Sequence, residues 1–317
     1  MNVTNEELDV FIDFKTKYKK NYKSNEEEVK ALVNVVLNRR IVLLHNDQHD
    51  SGLSTFKMKI WRNSDLSAQD IVNSMTGFRQ TRPQSKAFYD TEFPTDVPDH
   101  VNYVEEGLVP NVMNQGFCGS CWAFSALGAL EGQLAKNTGQ LIKLSEQNLI
   151  DCNKDEDFGN WACQGGDMVT VYDYIMNVAH GINSAPNYRY TGKEGPKCNY
   201  KSEKSAAAIQ DFVQIQTGDE YILMLALAKY GPLAIAVDAS LGTFHHYGSG
   251  VYDDPACSED MNHAVVLVGY GNDSIGGEFW LVKNSWGTSY GEKGYIRIAR
   301  NRGNLCGISN EISCPIV

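Results

Sequence analysis

The sequence predicts an α+β protein in two functional parts. A helical N-terminal part spans 1–96, and a C-terminal part, 97–317, has a helical lobe and a β-rich lobe packed across a cleft. Three observations carry this. Helix-start signals and helical apolar spacing fill the N-terminal part; a long helical pattern opens near Ser120; and beyond residue 205 short apolar strands alternate with Gly and Asn turns. Charge divides the chain at the same place. Residues 1–96 hold 14 Lys+Arg and 14 Asp+Glu, so the net charge of -11 lies wholly in 97–317.

In chain order, Thr4 with Glu7 and Ser24 with Glu27 have capping-box spacing, in which hydroxyl and carboxylate satisfy each other's orphan backbone donors, so two helices start there. Leu8, Phe11 and Ile12 form a stripe on the first. Val29, Leu32, Val33, Val36, Leu37, Ile41 and Leu44 recur at helical spacing on the second and make its apolar face. TFKMKIW (55–61) alternates like a strand, and Ser67 to Asp70 opens a third helix that stops near Gly77. From Gly77 to Pro98, three prolines and no period mark a linker or extended arm. Trp122, Ala126, Ala129, Leu130 and Leu134 then define a helix over 120–137, stopped by Gly139, with Cys121 at its N-terminus. PLAIAVDA, HAVVLVGYG, EFWLVKNSWG and GYIRIAR read as strands.

Composition narrows the function. The chain is 42% hydrophobic and 21% charged, and no apolar run approaches the roughly 18 residues of a membrane span. The polar start, MNVTNEELDVF, leads us to expect a secretory signal to be absent or already removed. An acidic C-terminal part repels phosphate, which argues against nucleic acid as partner; most of its carboxylates read as solvated surface.

All eight cysteines, Cys118, Cys121, Cys152, Cys163, Cys198, Cys257, Cys306 and Cys314, lie after residue 117. Cys118 and Cys121 form a C-x-x-C, but zinc wants a second pair at matched spacing and a redox pair wants a βαβ context. The reading preferred here makes Cys118 a structural half-cystine and Cys121 a free thiol. A helix N-terminus and a nearby imidazolium lower a thiol pKa from about 8.5 to ~3–4, which suits a nucleophile. His263 opens an apolar strand where a polar residue faces a cleft, and a hairpin with the following strand brings Asn284 within a few residues of it. The Asn carbonyl then fixes the ring so that its other nitrogen faces the thiol. Gln115 is placed to donate toward an oxyanion together with the Cys121 N–H. Trp286 shields the Asn–His pair from water. Each has a structural alternative: a satisfied histidine, a loop glutamine, a core tryptophan.

QGFCGSCWAFS, MNHAVVLVGYG and KNSWG together resemble the active-site signatures of papain-family cysteine proteases of the cathepsin L-like group, here in proenzyme form. His263 and Asn284 lie 142 and 163 residues after Cys121. The resemblance implies a papain-like two-lobe fold whose second lobe is barrel-like, with Cys121 as nucleophile, His263 as its proton partner, Asn284 as orienter and Gln115 in the oxyanion hole. It implies bridges Cys118–Cys163, Cys152–Cys198 and Cys257–Cys306, leaving Cys314 as a buried thiol; three bridges mean an oxidising compartment, lysosomal or secreted. It implies that 1–96 is an inhibitory propeptide, with maturation near Val97. The family's long-helix signature, Glu, Arg, Phe, Asn, Ile, Asn, maps onto Glu27, Ala31, Val35, Asn38, Val42 and Asn46, and its second signature, Gly, Asn, Phe, Asp, onto Lys59, Trp61, Asn63 and Asp65.

Substrate choice in the family turns on the side chain two residues before the cut. The matching pocket is Met168, Ala236, Asn262, Ala264 and, as floor, Glu311, whose carboxylate suits Arg beside Phe or Leu; the alternative is a solvated surface Glu. Gly165 and Gly166 offer backbone to an extended peptide. Only ten residues separate Cys152 from Cys163, which leaves no cleft-blocking insertion of the exopeptidase kind. The expected partners are peptide and protein substrates, the propeptide itself and cystatin-type inhibitors, acting on a monomer with no cofactor and no metal. Sequons at Asn2 and Asn272 permit glycosylation. The rival classes are a non-catalytic binding or storage protein of the same fold and a zinc or redox domain built on the C-x-x-C.

Overall fold

A computed structural model describes residues 3–80, 93–154, 159–215 and 217–317; Asn2 and residues 81–92 of the expected linker lie outside the described residues. Helix α1 (Asn5–Tyr18) begins at a complete Thr4/Glu7 capping box. Helix α2 (Asn25–Asp50) begins with half of one: Ser24 accepts from the Glu27 N–H, while the Glu27 carboxylate takes the Lys23 N–H instead. Strand β1 (Phe56–Met58) and helix α3 (Ala68–Met75) follow, α3 with a complete Ser67/Asp70 box.

The face of α2 differs from the one its apolar spacing predicts. Val29, Leu37, Ile41 and Leu44 are exposed, whereas Ala31, Val35, Val36 and Val42 are buried. Of the long-helix signature positions, Ala31, Val35 and Val42 are buried and Asn38 and Asn46 half-buried, while Glu27 is exposed. Asn38 donates to the Ser64 and Leu66 carbonyls, and Asn46 both donates to the Met58 carbonyl and accepts the Met58 N–H. Two half-buried asparagines that satisfy non-helical backbone outweigh a stripe of valines and leucines, because an unpaired amide shut away from water is more costly than an exposed methyl.

The C-terminal part opens with β2 (Val101–Asn102) and α4 (Cys121–Thr138), then α5 (Glu146–Cys152), α6 (Met168–Asp173), β3 (Ile182–Asn183) and β4 (Ser205–Ala207). After these come β5 (Asp211–Ile215), α7 (Glu220–Tyr230), β6 (Leu233–Val237), α8 (Gly242–His245), β7 (Tyr247–Tyr252), β8 (His263–Asp273), β9 (Gly277–Lys283), β10 (Tyr295–Ala299) and β11 (Ile312–Ile316). The sheet order is β1-β7-β10-β9-β8-β6-β11-β5, with β2 on β8. The N-terminal part therefore adds an edge strand, β1 on β7, to the sheet of the C-terminal part.

Helix α4 is buried from Cys121 to Ala135 and packs against β8. Gly128 makes the approach possible, since a Cβ there would lie 2.5 Å from Val266 Cγ2. One core cluster centres on α4 and α6, the other on the sheet. Val42, Phe56, Met58, Trp61, Ile71 and Met75 of the N-terminal part belong to the sheet cluster. No helix among the described residues is long and apolar enough to cross a membrane.

Candidate active site

Cys121 is the first residue of α4. The loop before it is held by the Cys118–Cys163 bridge and by close packing at Gly119, where a Cβ would lie 2.7 Å from the Cys163 carbonyl oxygen. Cys152–Cys198 and Cys257–Cys306 are also bridged; Cys121 and Cys314 are free and buried.

His263 begins β8. The β8–β9 register sets Val266 opposite Lys283, so Asn284, the next residue, falls beside the start of β8. His263 Nε2–H donates to Asn284 Oδ1 at 2.9 Å. The Trp286 ring lies over the imidazole, centroids 4.7 Å apart, and both His263 and Trp286 are almost fully buried. The Cys121 thiol touches the backbone of Ala264, the residue after His263. Cys121, His263 and Asn284 thus lie near one another where the start of α4 meets the start of β8.

The N-terminal part covers this meeting point. Gln115 Nε2 donates to the Met75 carbonyl at 3.0 Å and to the Cys118 carbonyl at 2.8 Å, and Trp286 Nε1 donates to the same Met75 carbonyl at 3.2 Å. Gly77 and Phe78 N–H donate to the Asn262 carbonyl, Arg79 N–H to the Gly166 carbonyl, and Gly166 N–H to the Gly77 carbonyl. A Cβ on Gly77 would sit 2.1 Å from the Gly119 carbonyl oxygen, so the arm lies flush against the loop before Cys121.

Covering the site changes its electrostatics. Burial raises the Cys121 thiol to about 11, against the pull of backbone groups of Ala264, Trp122 and Gly77. Burial likewise lowers His263 to about 4, with the Asn284 hydrogen bond acting the other way. This is the reverse of the depressed thiol pKa anticipated from the helix N-terminus. With water excluded, desolvation outweighs the helix end and both groups are neutral.

The pocket residues divide. Met168, Ala236 and Ala264 belong to one buried cluster that also holds Phe78 of the arm. Asn262 offers its backbone carbonyl, while its side chain is committed to Ala239 N–H and Asp238. Gly166 makes both ladder bonds to the arm. Gly165 does not, contrary to the sequence expectation: its carbonyl takes the Trp161 N–H, and its role is space, because a Cβ would lie 2.7 Å from the Gly77 oxygen. Glu311 is fully buried rather than solvated; it accepts from Gln214 Nε2 at 2.8 Å and from Gln80 Nε2 at 3.3 Å.

Sequence reasoning missed Ser285, whose hydroxyl donates to Gln115 Oε1. It marked an extended arm from Gly77 but not that Met75–Arg79 lie across Gln115, Asn262 and Gly166. Lys59 and Trp61 stand outside the family signature yet make contacts of their own. Lys59 Nζ donates to the Gly291 carbonyl, and Trp61 stacks on Trp286 at 5.9 Å and packs edge-on to Tyr290 at 5.5 Å. Asp65, the retained signature residue, accepts from Lys20 and Tyr22 at 2.9 Å each.

Comparison with known proteins agrees with this geometry. The description "Papain family cysteine protease" matches residues 97–316, and "Cathepsin propeptide inhibitor domain (I29)" matches residues 11–71. The chain is 42% identical to cathepsin S of Rattus norvegicus over 303 residues, 95% of this chain and 90% of that protein. It is 42% identical to a cathepsin L-like protein of Caenorhabditis elegans over 310 residues, 96% of this chain and 90% of that one. It superposes on digestive procathepsin L 3 of Tenebrio molitor larval midgut with TM-score 0.89 at 33% identity, covering 99% of this chain and all of the other. The chain belongs to the papain family of cysteine proteases, as a cathepsin L-like proenzyme carrying its propeptide inhibitor domain.

Proposed function

We propose that the chain is a zymogen of a cysteine endopeptidase that cuts through Cys121, His263, Asn284 and Gln115. With the arm removed and water readmitted, the Cys121 thiol gives its proton to His263 Nδ1 and the thiolate attacks the peptide carbonyl carbon. Gln115 Nε2 and the Cys121 N–H hold the resulting oxyanion. Collapse breaks the C–N bond as the imidazolium protonates the leaving amine, and water activated by His263 hydrolyses the thioester. Asn284 keeps the imidazole aimed, and Trp286 keeps their hydrogen bond dry.

The single observation behind this reading is that a backbone carbonyl, that of Met75, already rests on Gln115 Nε2 in the covered cleft. The arm rests there backwards. It passes Gln115 at Met75 and brings Phe78, three residues later, into the cluster of Met168, Ala236 and Ala264, whereas a substrate would enter that pocket before the scissile bond. The carbonyl therefore occupies the oxyanion position with its flanking atoms reversed, which explains occupancy without cleavage.

For the pocket, the proposal is acceptance of Phe or Leu and also Arg two residues before the cut, the Arg read by Glu311. The proposed setting is endolysosomal or secreted, in keeping with three disulfides, and maturation near Val97 separates 1–96 from a monomeric mature enzyme open to cystatin-type inhibitors. Acidic incubation tests the central reading. A shift to the size of 97–317, with onset of peptide hydrolysis and stoichiometric epoxide labelling at Cys121, is expected; Cys121→Ser abolishes both labelling and hydrolysis. Labelling elsewhere, or hydrolysis surviving in Cys121→Ser, would refute it. In Glu311→Gln, the Arg peptide is expected to lose its rate while the Leu peptide keeps it.

A further inference from the structure

We infer that Gln214 is a positioning residue for substrate selection, holding Glu311 so that one carboxylate oxygen is turned to the cleft. This rests on the reading of Glu311 as the pocket floor. Strands β5 and β11 pair antiparallel with Gln214 opposite Ser313. Glu311 lies two residues before Ser313 and so on the same face, a diagonal neighbour that a long side chain can reach.

The contact is made in the interior. Gln214 is 8% exposed and Glu311 0%, and Gln214 Nε2 donates to Glu311 Oε1 at 2.8 Å. The other oxygen, Oε2, takes an amide N–H from Gln80, two residues along the arm from Phe78, which shares the buried cluster of Met168, Ala236 and Ala264. A donor carried by a peptide in the cleft therefore reaches Oε2 while Gln214 keeps Oε1.

The chemistry of a glutamine suits this task. Its amide supplies a donor without charge, so it fixes the carboxylate without cancelling it, as a lysine or arginine at the same place would. A carboxylate accepts at about four lone-pair sites, which leaves capacity for a guanidinium after Gln214 has bonded. Donation to the charged form also favours ionisation. Without the donor, the carboxylate turns more freely and takes a proton more readily.

The test uses full-length chains activated by the same acidic incubation and two peptides differing only in Arg or Leu two residues before the cut. Gln214→Met removes the donor and keeps the length. The expected result is a roughly tenfold fall in the Arg-to-Leu ratio of kcat/KM, with the Leu peptide within about twofold of wild type. The pH at which that ratio rises should also move upward, because the undonated carboxyl ionises later. A merely structural role would lower both peptides together and leave that midpoint in place.

Should Gln214→Met fail to fold, Gln214→Glu puts a second carboxyl beside Glu311, and the midpoint should rise further still. An unchanged ratio and midpoint in a folded Gln214 variant, with Glu311→Gln still abolishing the Arg preference, overturns this inference and leaves the pocket reading intact. An unchanged ratio in Glu311→Gln overturns the pocket reading, and this inference falls with it.

Discussion

Trp61 is the side chain through which the N-terminal part grips the active-site aromatics, and Trp61→Ala should open the zymogen. The indole is 1% exposed, stacked on Trp286 with an interplanar angle of 15° and set against Tyr290. Truncating a buried tryptophan to alanine costs about 3–5 kcal/mol. Since every ~1.4 kcal/mol is a factor of ten, the uncovered population should rise by up to ~100- to ~4,000-fold, less whatever share of the loss falls within the N-terminal part. The assay is the rate at which a thiol-reactive epoxide labels Cys121 in intact zymogen at neutral pH, followed by intact mass, with the melting transition recorded alongside. Trp61→Phe refines the result. It keeps most of the apolar contact and removes an indole N–H that has no hydrogen-bond partner, so it should label far more slowly than Trp61→Ala. A labelling rate within about threefold of wild type in a folded Trp61→Ala chain would show that the stack does not hold the cover down.

Three further outcomes are expected. Gly77→Ala forces a Cβ into the Gly119 carbonyl and should lift the arm, raising peptide hydrolysis by the intact zymogen while leaving the processed enzyme unchanged; an equally latent variant would contradict the close approach. Gln115→Ala should lower kcat of the processed enzyme by ~100- to ~1,000-fold with KM little altered, measured by steady-state hydrolysis. His245 and His246 are buried, and desolvation lowers them to about 3 and about 4 from an ordinary 6.5. Folded pKa values below the unfolded one mean stability present above about pH 6.5 and lost as pH falls toward 4. His246→Gln should flatten the fall in zymogen Tm over that window by the equivalent of up to about 3 kcal/mol; a Tm profile parallel to wild type would exclude the histidine as a source of acid lability.

The candidate site was legible early because it is written in short strings. A cysteine at a helix start, a histidine at a strand start and an asparagine one hairpin away are placed by local backbone signals, namely caps, turns and strand alternation. The helix predicted over 120–137 is α4, and the four strands read from the second lobe are β6, β8, β9 and β10. Apolar periodicity was a poorer guide on α2. A helix displaying apolar residues over most of its circumference does not announce which side will be covered, and the choice was made by Asn38 and Asn46 meeting backbone carbonyls elsewhere in the chain.

What local strings cannot hold is who displaces the water. The raised thiol, the lowered imidazole and the Met75 carbonyl on Gln115 all arise because residues some forty positions before Cys121 fold back over it. Gln214 meets Glu311 across 97 residues of chain, through a strand register that neither segment encodes alone. Residue identity sets which proton transfers are available to this molecule. Desolvation and register, which come from distant segments closing on one another, set the protonation of Cys121 and His263 and the partner that Glu311 meets.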